Sequence, residues 1–287
     1  MAFSIEAPAK INLTLDVTDR RADGYHIIES VMQTVDVCDT IEFTVSEQEG
    51  ITLTCSDETL PTDESNTAYH AAQVFYEHIG KTPRLEMHIE KRIPSMAGMG
   101  GESADAAGVL RGLNELENAG LSVQELCALG SEIGADVPFC VLQGTALAEG
   151  VGSILTPLAP LDEDVFIVIG KGDTGVSTKQ AYAAIDAAQN RGRYDPAPMI
   201  DALCNGDLNE IARCVGNVFD EVLALPDVTT IKGLMKEHGA LGCSMTGSGS
   251  AVFGLFDDKH TAGVCAAALK EAEFTALICQ PYYPTEE

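Results

Sequence analysis

Residues 94–105 read Pro-Ser-Met-Ala-Gly-Met-Gly-Gly-Glu-Ser-Ala-Asp. Three glycines within four positions disfavour both helix and strand, so this run is a loop. Ahead of it, residues 85–89 alternate apolar and polar side chains (Leu-Glu-Met-His-Ile), the period of a half-buried strand. Behind it, an alanine-rich stretch predicts a helix over about 103–116. A strand that enters a glycine loop and a helix that leaves it make an anion cradle. Backbone N–H groups can approach the anion closely, and the helix N-terminus adds partial positive charge. The loop is not a Walker A sequence, because no Gly-Lys-Ser/Thr ends it. It is not a dinucleotide fingerprint either, because Glu102-Ser103 follows Gly98-Met99-Gly100-Gly101. Standing alone, it reads equally well as a plain glycine turn.

The chain has 287 residues, one large domain or two ordinary ones at roughly 100–200 residues each. Acidic residues number 44 and basic residues 17, a formal charge of −27. Nucleic acids and anionic membranes need a basic footprint, so neither is expected as a partner. Small phosphates remain possible, because backbone amides, a helix terminus and Mg²⁺ can hold them locally. The bases also cluster: Lys10, Arg20 and Arg21; Lys81, Arg84, Lys91 and Arg92; Lys171, Lys179, Arg191 and Arg193. The nine cysteines form no Cys-x-x-Cys pair and lie mostly in apolar stretches, so buried, reduced thiols are expected. The first residues lack an apolar signal core, and no apolar run approaches the ~20 residues of a membrane span, so the expected location is cytoplasmic.

Periodicity predicts strands over 11–17 and 27–37, and a hairpin of 41–45 with 51–55 around Glu49-Gly50. Asn66 caps a helix over 67–79 that Gly80 closes. Ser122 and Glu125 form a capping box for a helix to about 133. Residues 137–142 and 145–148 read as strands. The Pro-rich, acidic stretch 155–164 is the best linker, dividing the chain into 1–158 and 159–287. Beyond it come a strand (165–169), helices (177–188, 196–204, 207–218, 227–238), a hairpin (242–245 with 251–256), a helix (260–272) and a strand (274–280). That order fits an α+β layer of ferredoxin-like kind.

Five runs occur in sequence: Pro8-Ala-Lys10-Ile-Asn12-Leu13, Arg21-Ala-Asp23-Gly24-Tyr25-His26, the glycine loop, Gly134-Ala-Asp136-Val-Pro-Phe139 and Met245-Thr-Gly247-Ser-Gly249. Together they resemble the GHMP small-molecule kinase superfamily over essentially the whole chain. The first two runs and 148–157 point to its branch in isoprenoid-precursor synthesis, whose alcohol substrate carries a cytidine diphosphate. The resemblance implies a two-domain α+β fold, with an S5-like N-terminal layer and a ferredoxin-like C-terminal layer. It implies ATP and Mg²⁺, with no metal ligand assigned in the protein.

It also implies residue roles. Asp136 is the catalytic carboxylate and Lys10 its partner. The nucleotide loop is Pro94, Ser95, Met96, Ala97, Gly98, Met99, Gly100, Gly101, Glu102, Ser103 and Ala104. The substrate residues are Asn12, Tyr25, His26, Thr178 and Tyr182. A kinase acting on an alcohol uses a base within reach of the hydroxyl and a cation beside the developing charge, which suits Asp136 and Lys10. Aromatic rings suit a cytosine face. Blander readings stand beside these: a cap or Asx-turn for Asp136, a snorkelling surface side chain for Lys10, a helix cap for Asn66, a turn histidine for His26 and a half-buried helix aromatic for Tyr182.

The loop departs from the family's usual Gly-Leu-Gly-Gly-Gly-Ser-Ser-Asp/Asn-Ala-Ala. Met99 replaces Leu, Glu102 replaces Gly and Ala104 replaces Ser. Glu102 is expected to face solvent in the first helical turn, where negative charge is mildly favoured. The competing readings are that it approaches Mg²⁺ or that it weakens ATP binding. Two alternatives for the whole chain stay open: a kinase for another small alcohol, and a catalytically silent binding protein on the same scaffold.

Overall fold

The alternating stretches near the N-terminus become two long strands, β1 (Phe3–Arg20) and β2 (His26–Val45). They are seen in a computed structural model that describes residues 3–188 and 191–284. The chain forms two compact units from interleaved pieces. One takes the chain up to Ala9, Val37–Pro94 and Gly100–Gln143; the other takes Lys10–Asp36, Ser95–Met99 and the chain from Gly144 onward. β1 and β2 each contribute to both.

In the first unit the chain continues through β3 (Gly50–Cys55), α1 (Thr67–Ile79), β4 (Arg84–Glu90), α2 (Gly101–Leu116), α3 (Val123–Ile133) and α4 (Val137–Leu142). Asn66 caps α1 through its side chain, Gly80 ends α1 in the left-handed region, and Ser122 with Glu125 forms the expected capping box. The expected 41–45/51–55 hairpin does not form. β4 lies between its two arms, antiparallel to Thr40–Val45 and parallel to Gly50–Cys55. Alternation marks a strand but carries no partner information, and β4, with Leu85, Met87 and Ile89 buried on one face, competes successfully for both neighbours. Nor is 137–142 a strand. It is the short helix α4, with Pro138 in its first turn and Val137–Val141 buried. A short continuous apolar run fits a buried helix as well as a strand, and proline near a helix start lacks only an N–H that had no partner there.

The second unit adds β5 (Thr145–Gly150), β6 (Ile154–Pro157), β7 (Phe166–Lys171), α5 (Thr178–Ala187), α6 (Ala197–Asn205), α7 (Leu208–Cys214), β8 (Gly216–Asn217), α8 (Val218–Leu223), α9 (Pro226–Glu237), β9 (Gly242–Met245), β10 (Val252–Phe256), α10 (Lys259–Glu271) and β11 (Thr275–Cys279). β5 pairs with Ile28–Gln33 of β2 and with β6, so the linker stretch begins as a strand. β8 joins β1 in parallel at Thr14 and Leu15. The remaining four strands form an antiparallel sheet in the order β11-β7-β10-β9. That is the βαββαβ arrangement with the first and third strands central, the ferredoxin-like layer expected from the element order. Its core gathers Val168, Phe219, Ile231, Met235, Phe256 and Leu269.

No helix among the described residues is long and apolar enough to cross a membrane. All nine cysteines are free thiols, five of them buried. Cys204 is exposed and Cys55, Cys127 and Cys214 are half-buried, which narrows the expectation of buried thiols.

Candidate active site

The loop's middle belongs to the second unit, where it is clamped by backbone. Lys10 N donates to Met99 O at 3.0 Å and Ala251 N to Ala97 O at 3.1 Å. Gly98 (φ +73°) and Gly247 (φ +54°) face each other so closely that a Cβ on Gly98 would lie 2.2 Å from Thr246 O, and one on Gly247 2.6 Å from Gly98 O. Neither position admits a side chain: the φ values and the missing space both demand glycine. Across 94–104, Ala97, Met99 and Ala104 are buried, Ser95, Met96 and Glu102 are exposed, and Pro94, Gly98, Gly100, Gly101 and Ser103 lie between.

Lys10 is 4% exposed, so it is not a snorkelling surface lysine. Its Nζ donates to Asn12 Oδ1 at 2.8 Å. The same oxygen accepts from Gly247 N at 2.9 Å, while Asn12 Nδ2 donates to Ser30 Oγ at 2.8 Å and Asn12 N donates to Thr246 Oγ1 at 3.0 Å. Asn12 thus ties β1 to the glycine turn after β9 and orients the Lys10 ammonium. Asn217 completes the brace, its Nδ2 donating to Met245 O and Gly247 O, each at 2.8 Å. Asn217 carried no signal in the sequence; its place beside a Gly-Ser-Gly turn is a tertiary fact.

In the first unit the loop becomes the head of α2. Gly100 takes the N-cap position and supplies no side-chain cap, which leaves the first-turn amides suited to an external anion. Glu102 is exposed in that first turn, and its carbonyl accepts from Thr67 Oγ1 at 2.9 Å. Glu102→Gly is therefore expected to leave kcat and the KM for ATP within a few-fold, measured by steady-state kinetics; a large rise in that KM would place Glu102 on the bound metal.

Beneath α2 lies a buried ionic cluster that sequence reasoning missed. Lys91 Nζ donates to Asp39 Oδ2 at 2.5 Å and to Asp105 Oδ2 at 2.6 Å. The other Asp39 oxygen accepts from Arg92 N at 2.5 Å and Ile93 N at 2.8 Å, fixing the chain as it enters the loop. The three side chains are 10%, 0% and 6% exposed for Lys91, Asp39 and Asp105. Burial pushes the Asp105 carboxyl up to about 8 against the pull of Lys91, and the Asp39 carboxylate adds to the rise. Burial pulls the Lys91 ammonium down, but Asp105 and Asp39 outweigh it and hold it above the usual lysine value. An aspartate between two strand-like runs and another inside an alanine-rich helix were the only sequence signals.

Asp136 heads α4 rather than a strand. It is half-buried, holds the N-cap position at φ −88° and ψ −11°, and makes no side-chain cap hydrogen bond, so the capping reading does not describe it. Asn66, by contrast, is a helix cap: its Oδ1 accepts from Ala68 N at 2.8 Å.

The substrate candidates on β2 and α5 do gather. The His26 ring stacks on Tyr182, with centroids 4.6 Å apart and planes 23° from parallel; Tyr182 meets Phe219 edge-on at 5.0 Å. His26 Nε2 lies 2.8 Å from Asp186 Oδ1, and Arg20 donates to Asp186 Oδ2 at 3.0 Å. Thr178 is exposed at the start of α5, one turn before Tyr182 and on the same face. Tyr25, 66% exposed, is presented on a turn closed by Arg21 N donating to Tyr25 O at 2.7 Å.

Two sequence families match this chain: the GHMP kinases N terminal domain over residues 66–144 and the GHMP kinases C terminal domain over 199–274. The chain belongs to the GHMP kinase family. The first match takes in the glycine loop and Asp136, the second Asn217 and Gly247. This GHMP kinase is 46% identical over 268 residues to 4-diphosphocytidyl-2-C-methyl-D-erythritol kinase of Caldicellulosiruptor saccharolyticus, covering 93% of this chain and 92% of that protein. The Clostridium perfringens enzyme of the same name is 41% identical over 91% of each chain. A crystal structure of 4-(cytidine 5′-diphospho)-2C-methyl-D-erythritol kinase superposes with a TM-score of 0.82 at 32% identity, over 98% of this chain and 100% of that one. As a GHMP kinase it is an ATP-dependent phosphotransferase, which sets aside the reading of a silent scaffold.

Proposed function

We propose that this kinase transfers the γ-phosphoryl group of ATP to the 2-hydroxyl of 4-diphosphocytidyl-2-C-methyl-D-erythritol, a step in isoprenoid-precursor synthesis. The observation that carries the reading is the clasped His26–Tyr182 ring pair beside the exposed Tyr25, on a chain 40–46% identical to kinases bearing that substrate's name. Aromatic faces suit a cytosine, and the His26 ring nitrogen not held by Asp186 suits its polar edge. Thr178 adds a hydroxyl on the same helix face.

In this reading Asp136 accepts the proton of the attacking hydroxyl, and the Lys10 ammonium, oriented by Asn12, favours the charge that develops there. Amides of the 94–104 loop and of the α2 head hold the triphosphate. Magnesium is carried on the triphosphate, and Glu102, exposed in the first turn of α2, is not assigned to it. When bound, it would neutralise charge on the transferring phosphoryl group. The family matches fall on either side of 158/159, which supports 1–158 as the N-terminal half with the nucleotide loop and 159–287 as the C-terminal half. Nine free thiols favour a reducing, cytoplasmic setting.

The test compares alcohols with and without the cytidine diphosphate. With ATP and Mg²⁺, ADP release should require the cytidyl substrate. CDP-bearing ligands should raise the thermal midpoint, since a ligand at 100 times its Kd adds about 2.7 kcal/mol to apparent stability. ADP release that is indifferent to the cytidyl group points to another alcohol.

A further inference from the structure

Asp186 carries no role in the reading above, yet its Oδ1 lies 2.8 Å from His26 Nε2. Tyr182 and Asp186 are four residues apart on α5, so they project from the same face of the helix. Tyr182 takes the flat face of the His26 ring and Asp186 takes its edge. The carboxylate is itself fixed, because its second oxygen accepts from Arg20, whose side chain also reaches Gly24 O at 3.4 Å in the turn that presents Tyr25.

We propose that Asp186 is a positioning residue that locks the His26 ring in one tautomer, with the proton on Nε2, and so makes Nδ1 the acceptor that selects an amino-bearing pyrimidine over a keto one. This rests on the cytidyl substrate proposed above. The hydrogen bond from His26, reinforced by Arg20, holds the Asp186 carboxyl below its usual range, so it is ionised near neutral pH. An ionised carboxylate can only accept, and the 2.8 Å contact therefore requires the hydrogen on Nε2. In the neutral ring the other nitrogen is then a pure acceptor. Nδ1 has no hydrogen-bond partner among the described residues. A cytosine places an N–H₂ donor on its edge where uracil places a carbonyl oxygen. Two acceptors facing one another repel, so the lock favours cytosine.

Asn at 186 removes the lock, because its amide can either donate to or accept from Nε2. Two measurements test this on the full-length enzyme. Nitrogen-15 shifts of the His26 imidazole should show the Nε2–H form in the wild type and a mixture of tautomers in Asp186→Asn. The KM for the cytidyl substrate should rise about tenfold in Asp186→Asn, the scale of one lost hydrogen bond to a charged group. The preference for the cytidyl over the matching uridyl substrate should collapse, the KM for ATP should stay, and Asp186→Glu should restore part of the preference. An Nδ1–H ring in the wild type, or an Asp186→Asn enzyme with unchanged cytidyl KM and unchanged base preference, overturns the proposal. A wild-type enzyme indifferent to the base overturns the substrate reading instead, and the tautomer measurement still decides the hold of Asp186 on His26.

Discussion

Asp136→Ala is expected to lower kcat by about 10²–10⁴-fold, the contribution of a positioned general base. The expectation rests on a half-buried carboxylate at the head of α4 that is not spent on capping its own helix. α4 itself is held by burial of Val137–Val141, so removing one carboxylate at its N-terminus leaves the packing in place. ATP and the cytidyl substrate should still raise the thermal midpoint of the variant, because the groups assigned to bind them are untouched. ADP release under saturating substrates is the measurement. A fall of less than tenfold, with protection by both ligands intact, removes the base role from Asp136.

The largest effect on stability is expected at Lys91. Lys91→Met deletes the only cation hydrogen-bonded to two buried carboxylates among the described residues, and breaking a buried ion pair from one side costs about 3–5 kcal/mol. That is a large share of the roughly 5–15 kcal/mol that holds an ordinary domain. The size of the loss comes chiefly from stranding the Asp39 carboxylate, so it should shrink when Asp39 and Asp105 are neutralised too. The triple variant Asp39→Asn, Lys91→Met, Asp105→Asn should recover a substantial part of it. Asp105→Asn alone should be mild, because burial and Asp39 already hold that carboxyl high enough to retain a proton near neutrality. Urea midpoints at constant m-value separate these cases. A Lys91→Met unfolding free energy within about 0.5 kcal/mol of the wild type would show that the cluster is solvated rather than buried; this threshold is the ordinary scatter of surface substitutions.

Local signals were legible in the sequence, and pairings were not. The Asn66 and Ser122–Glu125 caps, the left-handed Gly80 and the glycine loop depend on residues within a few positions of one another. The βαββαβ order needed only the succession of elements. The 41–45/51–55 hairpin failed because alternation names a strand's faces and not its neighbours. α4 failed because six apolar residues satisfy either period. Among the site residues, Tyr25, His26 and Tyr182 were named from motifs, but their arrangement was not: Asp186 lies 160 positions from His26. Asn12 was named as a substrate contact, and its hydrogen bonds to Lys10, Ser30 and Gly247 join segments that no motif brings together. The Lys91 cluster joins a strand, a loop entry and a helix, and Asp39 lies 52 positions from Lys91.

The strand order of the C-terminal sheet also bears on how the protein is made. β7 is central, yet β10 starts about 80 residues after it and β11 about 100 residues after it. During synthesis at about 5–20 residues per second, β7 waits roughly 5–20 s with both edges open. Its Ile167, Val168 and Ile169 are apolar throughout that wait. A chain interrupted before residue 275 would leave one edge of this strand permanently unpaired, a template for sticking to another nascent copy. The protein's vulnerable moment is therefore late in translation, when most of the chain has emerged and its last strand has not.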